Sequence, residues 1–409
     1  MGLWREARVS ELAEGGESGV AGGPFGSSLG RKDYVPAGVP VIRGAQLAGP
    51  GRFSLDGMVF VSDDKADRHR GNLAYPGDVI VTQRGTLGQV GLVPLDQPYE
   101  RFLLSQSQMK ISVDPAIADS EFLYFALSAP ATKQRLINYA MTAGVPHVNL
   151  ATLRAFELTV PDVRTQRRVA AVLSAFDELL EINERRIELL EDLARSLYRE
   201  WFVHFRFPGH EGVALVDSGA GPIPAGWEAG TLDDQVVLAR GFDLPVSVRQ
   251  PGAVPIVSAS GVTGSHSEAK ASGPGVATGR SGTIGRVTYL PVDYWPLNTT
   301  LWVKEFRRAS PRSAYFLLES LNLRSHATGA AVPTLNRNHI SGLSMPIPPP
   351  SLVAYFDEVS APLFEFMTAL RNWNYKLVES QGLILPRLVS GHLDIADIDL
   401  GILTPPETE

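Results

Sequence analysis

The feature that most constrains this 409-residue chain is that its sequence repeats. The segment Val79-Ile-Val-Thr-Gln-Arg-Gly-Thr-Leu-Gly-Gln-Val90, with Pro94-Leu95-Asp96 after it, recurs as Val276-Ala-Thr-Gly-Arg-Ser-Gly-Thr-Ile-Gly-Arg-Val287 with Pro291-Val292-Asp293. Upstream of the copies lie Val39-Pro-Val-Ile-Arg-Gly44 and Val254-Pro-Ile-Val-Ser-Ala259. Downstream lie Gly144-Val-Pro-His-Val-Asn149 and Ala331-Val-Pro-Thr-Leu-Asn336, then apolar strands closing in Val160-Pro161 and Ile347-Pro348. Trp4 stands before Val9 as Trp227 stands before Leu232. So many matches in one order make two similar folding units the expectation.

Each unit ends in a long heptad segment. In the first, Val169, Leu173, Phe176, Leu180, Asn183, Ile187, Leu190, Ala194, Leu197 and Trp201 keep a 4-3-4-3 spacing. In the second, Leu352, Phe356, Val359, Leu363, Phe366, Leu370, Trp373, Leu377, Ser380 and Ile384 do the same. Such spacing marks a coiled-coil seam. Glu and Arg crowd the other faces of the first helix, as on a solvated or partner-facing surface. Each seam would run roughly 50 Å at the helical rise. Neither stripe can be buried alone, so each helix is expected to pair with the other, with Leu180, Asn183, Ile187 and Leu190 facing Leu363, Phe366, Leu370 and Leu377. Asn183 would set register, and Pro362 is expected to kink or delay the second helix. Antiparallel pairing would place the globular units at opposite ends.

The expected fold class is therefore α/β (α+β) units in tandem duplicate, separated by two long antiparallel coiled-coil helices. The expected boundaries are residues 1–161 and 227–348 for the globular units and 162–206 and 349–391 for the helices. Residues 207–226 form a linker and 392–409 a flexible tail. Before each Val-Pro motif one amphipathic helix is expected, Glu121-Phe-Leu-Tyr-Phe-Ala-Leu127 and Ser313-Ala-Tyr-Phe-Leu-Leu-Glu-Ser-Leu321.

Three polar loop groups per unit carry side chains suited to reading a DNA groove, where Arg pairs with guanine, Asn or Gln with adenine, and hydroxyls grip phosphate. In the first unit these are Ser27, Ser28, Arg31 and Lys32 in a Gly-rich loop with Arg43 after it, then Gln83, Arg84 and Thr86, then His147 and Asn149. In the second they are Ser258, Ser260 and His266, then Arg280, Ser281 and Thr283, then Asn336 and Arg337. Plainer readings stand beside these. The Gly-Thr-Leu-Gly and Gly-Thr-Ile-Gly turns need Gly for positive φ, Asn149 and Asn336 suit helix N-caps, and single arginines suit any surface. Trp201 and Trp373 are read as core.

Composition narrows the rest. With no cysteine, disulfide and thiolate chemistry are excluded. No apolar run is long enough for a membrane span, and the amino terminus lacks a secretory pattern, so a cytoplasmic setting is expected. A net charge of −7 argues mildly against nucleic acid. Charge is uneven, however: only seven of the 37 basic residues are Lys, and many arginines fall in the Gly/Ser-rich loops. No P-loop, adenine-methyltransferase motif, dinucleotide fingerprint or His-x-x-x-His pair is present, so no catalytic or metal site is assigned.

The chain resembles the specificity subunits of type I restriction–modification systems. The resemblance is carried by Gly23-Pro-Phe-Gly-Ser27, Gly38-Val-Pro-Val-Ile-Arg43, Asp177-Glu-Leu-Leu-Glu-Ile-Asn183, Leu197-Tyr-Arg-Glu-Trp-Phe-Val203, Ile223-Pro-Ala-Gly-Trp227 and Leu385-Pro-Arg-Leu-Val-Ser-Gly391. It covers nearly the full chain and rests on the duplicated arrangement more than on any one motif. It implies a non-catalytic subunit whose two units each read half of a bipartite duplex site, while the helices set the spacer and hold two methyltransferase subunits. It further implies S-adenosylmethionine on the methyltransferase, ATP and Mg on restriction/translocase subunits, and no cofactor on this chain. A modification-only phage-defence complex, or a coiled-coil scaffold with two protein- or carbohydrate-binding units, remains open.

Overall fold

The computed structural model describes residues 4–49, 51–140, 147–329 and 333–395. It divides into two compact units, and the divisions fall inside both long helices. One unit gathers the chain up to Asn183 with the second long helix from Asn372 onward; the other runs from Glu184 to Arg371.

In the first unit a four-stranded antiparallel sheet places Val79–Thr82 between Gln108–Ile111 and Val90–Leu92, with Val20–Gly22 on the outer edge. Val79–Thr82 is fully buried, as expected of an apolar run with a sheet neighbour on each side and a helix over one face. A second sheet orders Val59–Val61, Val39–Ile42, Phe102–Leu104 and Leu73–Ala74, with Val39–Ile42 and Phe102–Leu104 parallel. Arg5–Arg8 pairs with Glu157–Val160 beside the start of the first long helix. The helix Ser120–Ser128 is capped by Asp119, whose carboxylate accepts from Phe122 N at 2.9 Å, and it buries Phe122, Leu123 and Phe125 in the core.

The second unit repeats this plan. Val236–Arg240, Thr300–Phe306, Gly275–Gly279 and Val287–Leu290 form a sheet in the same order, and Gly261–His266, Val254–Ser258 and Trp295–Pro296 form the second. There too the strand after the Val-Pro step runs parallel to its later neighbour. Glu228–Thr231 pairs with Ser344–Ile347 as Arg5–Arg8 does with Glu157–Val160. The units differ in detail: the second sheet has four strands in the first unit and three in the second. The first carries a further helix, Pro130–Ala140, where the second has only a short turn of helix at Leu323–His326.

The first long helix is Val163–Tyr198, a run of Ala, Leu, Glu and Arg without Gly or Pro, followed by a π-helical turn at Arg199–Val203. Asp162 caps it: its carboxylate accepts from Arg164 N and Thr165 N, both at 3.0 Å, and these bonds, that to Thr165 foremost, hold its pKa below the usual range. The second long helix is Pro350–Val389, opened by proline at its first position. Gly391, at φ +76°, ends it; a Cβ there would come within 2.6 Å of the Trp4 ring. Pro362 neither delays nor interrupts this helix. It is exposed, so the carbonyl of exposed Glu358 that it deprives of an N–H can turn to water.

Within each unit a stretch of one long helix packs antiparallel on a stretch of the other. In the first unit Gln381 Nε2 reaches Asp177 Oδ1 at 2.6 Å, and Asn183 Nδ2 donates to Asn374 Oδ1 at 2.8 Å. In the second, Glu191 faces Arg371 at 3.6 Å, and Trp201 stacks on Tyr355 with centroids 5.3 Å apart. Phe356, Leu363, Leu370, Leu377 and Ile384 face inward, as the spacing predicts. Of the alternate seam positions, Leu352 and Trp373 are buried as expected, while at Val359 and Phe366 the residue that follows is buried instead. Ser360 and Met367 are 0% and 1% exposed, whereas Val359 is 38% exposed and Phe366 is only half-buried. An apolar pattern cannot locate a seam that uses a serine, an asparagine and a glutamine.

No described helix is long and apolar enough to cross a membrane.

Truncating Leu377, fully buried at the seam, to Ala should cost about 2–5 kcal/mol. Truncating Leu383, 67% exposed on the same helix, should cost less than about 0.5 kcal/mol. Denaturation midpoints that shifted equally for the two would contradict the seam.

Candidate nucleic-acid interface

In the first unit the three polar loop groups meet around Gln83. Its backbone N–H donates to Ser107 O at 2.7 Å, and its carbonyl accepts from Val148 N at 3.0 Å, which brings His147–Asn149 alongside. A Cβ on Gly22 would lie 3.7 Å from Gln83 Oε1, and Gly23 N bonds Gln108 O at 2.9 Å, so the Gly-rich loop borders the same place. Gly85 and Gly88, at φ +92° and +81°, turn the chain so that Arg84, Gly85 and Thr86 stand in solvent.

The second unit builds the same loop with other side chains. Arg280 O accepts from Leu335 N at 2.8 Å, the counterpart of the Gln83–Val148 bond. Gly282 and Gly285 take φ +82° and +83°. Thr82 N to Gln89 O at 3.0 Å in one loop matches Gly279 N to Arg286 O at 2.9 Å in the other. Thr299 ties in the Ser258–Ser260 turn: its carbonyl accepts from Arg280 N, and its hydroxyl accepts from Ala259 N at 3.3 Å.

Individual residues fall into three groups. Arg31, Lys32, Arg84, Thr86 and Thr283 are exposed and available to a ligand, Gln83, Arg280 and Ser281 are partly so, and exposed Ser260 and Arg337 also bond Ser258 Oγ at 2.9 Å and Leu238 O at 3.5 Å. Others spend polar atoms on the protein itself. Ser28 Oγ donates to Phe25 O at 2.6 Å, Ser258 Oγ bonds Gly261 O, and the Arg43 guanidinium is folded onto Gly57 O at 2.6 Å. Asn149 and Asn336 are N-caps: their Oδ1 atoms accept from Thr152 N at 2.8 Å and Asn338 N at 3.1 Å. Their amide nitrogens are left for other partners. His147 is half-buried beside Gln83. The third group is His266 alone. It is 5% exposed, its Nδ1 accepts from Gln250 N at 3.0 Å, and its ring edges Trp295, so it leaves the accessible face. Only the two ends of its strand, Gly261 and His266, are buried, so no two-residue alternation marks it. The side chain of Ser27, and the Val-Pro steps at 145–146 and 332, lie outside the described residues.

Several further polar residues border these loops. Asn72 Nδ2 donates to Gly22 O at 2.6 Å, which sets the basic turn Arg68-His69-Arg70 beside the Gly-rich loop. Gln89 and Arg286 occupy one position of the repeat, which was the available signal for them. Lys65, foremost, and Gly30 N hold the Asp33 carboxyl below its usual pKa, so it is anionic at neutral pH next to Arg31 and Lys32. Among the described residues no three His, Asp or Glu side chains gather into a metal site.

Residues 24–192 match the family model of the type I restriction modification DNA specificity domain. The chain is 25% identical over 243 residues to the specificity subunit of type I restriction enzyme MjaIX from Methanocaldococcus jannaschii, covering 59% of this chain and 54% of that protein. It is 25% identical over 113 residues to the specificity subunit of type I restriction enzyme HindI from Haemophilus influenzae, covering 27% of this chain and 25% of the other. The matches thus span about half the length of the first of these relatives and a quarter of the second. In fold the chain is similar to the crystal structure of a type I S subunit from M. genitalium, with a TM-score of 0.58 at 17% identity, covering 95% and 96% of the two chains. The resemblance carried by the residues, and the tandem α/β architecture with long helices, are borne out.

If Asn149 acts as a cap, Asn149→Ala should cost about 1 kcal/mol of stability, while Asn149→Asp, which keeps the accepting oxygen, should be close to neutral. Equal losses in thermal melts would remove the capping role.

Proposed function

We propose that this chain is the DNA-recognition subunit of a type I restriction–modification complex, each globular unit reading one half of a bipartite duplex site. The observation that carries this is the loop cluster around Gln83. It lies within the stretch matching a DNA specificity domain and is rebuilt around Arg280 in the second unit. Exposed Arg84, Thr86 and Thr283 with half-exposed Gln83 and Arg280 offer the donors and acceptors that base edges and phosphates require.

The paired helices would set the spacer between the half-sites and dock two methyltransferase subunits. Apolar side chains left outward support the docking: Ile182, Tyr375, Val378 and Leu383 in the first unit, Leu189 and Leu193 in the second. Adenine methylation with S-adenosylmethionine would belong to those subunits, and ATP and Mg to a restriction/translocase subunit, with this chain taking no part in the chemistry. Basic surface on the methyltransferases would also offset the net charge of −7.

Methylation-sensitive sequencing of host DNA should report a bipartite motif whose halves respond separately: Arg84→Ala weakening or relaxing one, and Arg280→Ala the other, by about 1–3 kcal/mol. Methylation unchanged at both halves in both variants would overturn the base-reading role. A matched seven-residue insertion in each long helix should change the spacer and leave the half-site sequences alone; an unchanged spacer would remove the ruler.

A further inference from the structure

The loops that hold Arg84 and Arg280 have the same support behind them, although it comes from unlike elements. In the first unit the helix Pro130–Ala140 packs on Gly88: a Cβ there would meet Ile137 Cδ1 at 3.1 Å and Lys133 Cβ at 3.9 Å. In the second, Gly285 meets Leu323 Cβ at 3.6 Å and Arg324 N at 3.7 Å, at the short helical turn Leu323–His326. Each loop therefore abuts a helical element that carries a basic residue, Lys133 approaching through its Cβ and exposed Arg324 through its backbone nitrogen.

Neither basic residue has a carboxylate within ion-pair distance among the described residues. The contrast with the other enclosed lysines is informative. Lys65 pairs with Asp33 at 3.0 Å, and Lys110 pairs with Asp78 at 3.2 Å. Lys133 is half-buried and unpaired, and burial pushes its pKa below the usual lysine range. A partly desolvated ammonium without a counter-ion is a cost the folded chain carries until an anion arrives. The apex of each loop adds donors. The backbone N–H groups of Gly85, Thr86, Gly282 and Thr283 have no hydrogen bond among the described residues, and both turns hold glycine in the left-handed region. Consecutive free amides of this kind form concavities that suit oxyanions.

We infer that each Gly-Thr-x-Gly loop is a clamp for one phosphodiester of the nucleic-acid backbone, formed by the apex amides and completed by Lys133 in the first unit and Arg324 in the second. The inference deepens the DNA-recognition reading and rests on it. The clamp fixes where each unit sits on the duplex and carries no base information, so it separates from the role assigned to Arg84 and Arg280.

The test measures duplex binding by the full-length chain, together with its host's type I methyltransferase subunit, across a salt series. One fluorescent duplex carries the methylated motif and one is scrambled. Lys133→Gln and Arg324→Gln should each weaken both duplexes by the same factor and lower the slope of log affinity against log salt by about one. Lys133→Arg should restore the wild-type slope, Lys133→Gln should not lower the melting temperature, and Arg8→Gln, an exposed control whose side chain faces Glu157, should change nothing. An unchanged slope in both Gln variants, a loss confined to the motif duplex, or a lowered melting temperature with unaltered binding would overturn the clamp. Salt-dependent binding by the wild-type complex would leave the DNA reading standing in each of those cases. Its absence in the wild type would sink both.

Discussion

The structure depends on the burial of one long helix against the other inside each unit. A lone amphipathic helix with this much apolar surface has no stable state in water, because the stripe stays hydrated. Leu173, Phe176, Leu377 and Leu388 are essentially inaccessible, and each such side chain contributes about 1.5–3 kcal/mol of transfer free energy. Those contacts are continuous with the globular cores: Leu388 and Val389 share a cluster with Phe122 and Leu158, and Ala194 and Tyr198 share one with Phe316 and Ile347. A head and its helices are thus one cooperative core. Asn183, wholly buried, donates through Nδ2 to Asn374 and sacrifices apolar contact at that level, its own Oδ1 having no partner among the described residues. Sliding the helices would unpair the buried amide nitrogen as well, so the pair selects the register.

The repeat is strict in topology and loose in electrostatics. Both units join head and helices through an arginine, yet the arginine comes from opposite partners. In the first, Arg52 of the head bonds Glu121 at 3.0 Å and Asp177 of the helix at 2.8 Å. In the second, Arg195 of the helix bonds Glu319 of the head at 3.0 Å, and Tyr315 donates to Glu191 at 2.6 Å. Removing either cation would strand partly buried carboxylates, a larger effect than the loss of a surface ion pair. The reversal of sign also means that the helix face suited to one head presents the wrong charge to the other. Hydrophobic pattern alone would allow that exchange.

This contrast explains what the sequence disclosed and what it withheld. The duplication was legible in the repeated motifs, and the inward faces of Leu370 and Leu377 in apolar periodicity, which burial enforces at every turn. The seam roles of Ser360, Asn374 and Gln381 were illegible because these residues are polar, while Val359 and Phe366 supplied a competing apolar register that only Leu352 and Trp373 keep. Pro362 does not delay the helix, because it lies on an exposed face, where the carbonyl it frees at Glu358 can turn to water. In the loops the signal was composition without direction. Gln83 and Arg280 emerged from the repeat, but nothing local shows that Arg43 bonds Gly57 or that His266 turns inward, since both depend on partners 14 and 16 residues away.

The same reasoning bears on how an acidic chain can suit a polyanion. Many of its carboxylates are held within the protein: Asp177 and Glu121 by Arg52, Glu191 and Glu319 by Arg195, Asp63 and Asp67 by Arg101, Asp33 by Lys65. Much of the negative charge is thus compensated where it sits. Arg31, Lys32, Arg84, Lys133 and Arg324 have no such carboxylate partner among the described residues, and they lie in or against the loops that the strands display. Net charge averages these populations and so misjudges the local field, which decides where an anionic duplex settles. Sheets and the helical elements packed on them place these cations, and within each unit the head shares one core with its helices, which gives the polar loops a packed support.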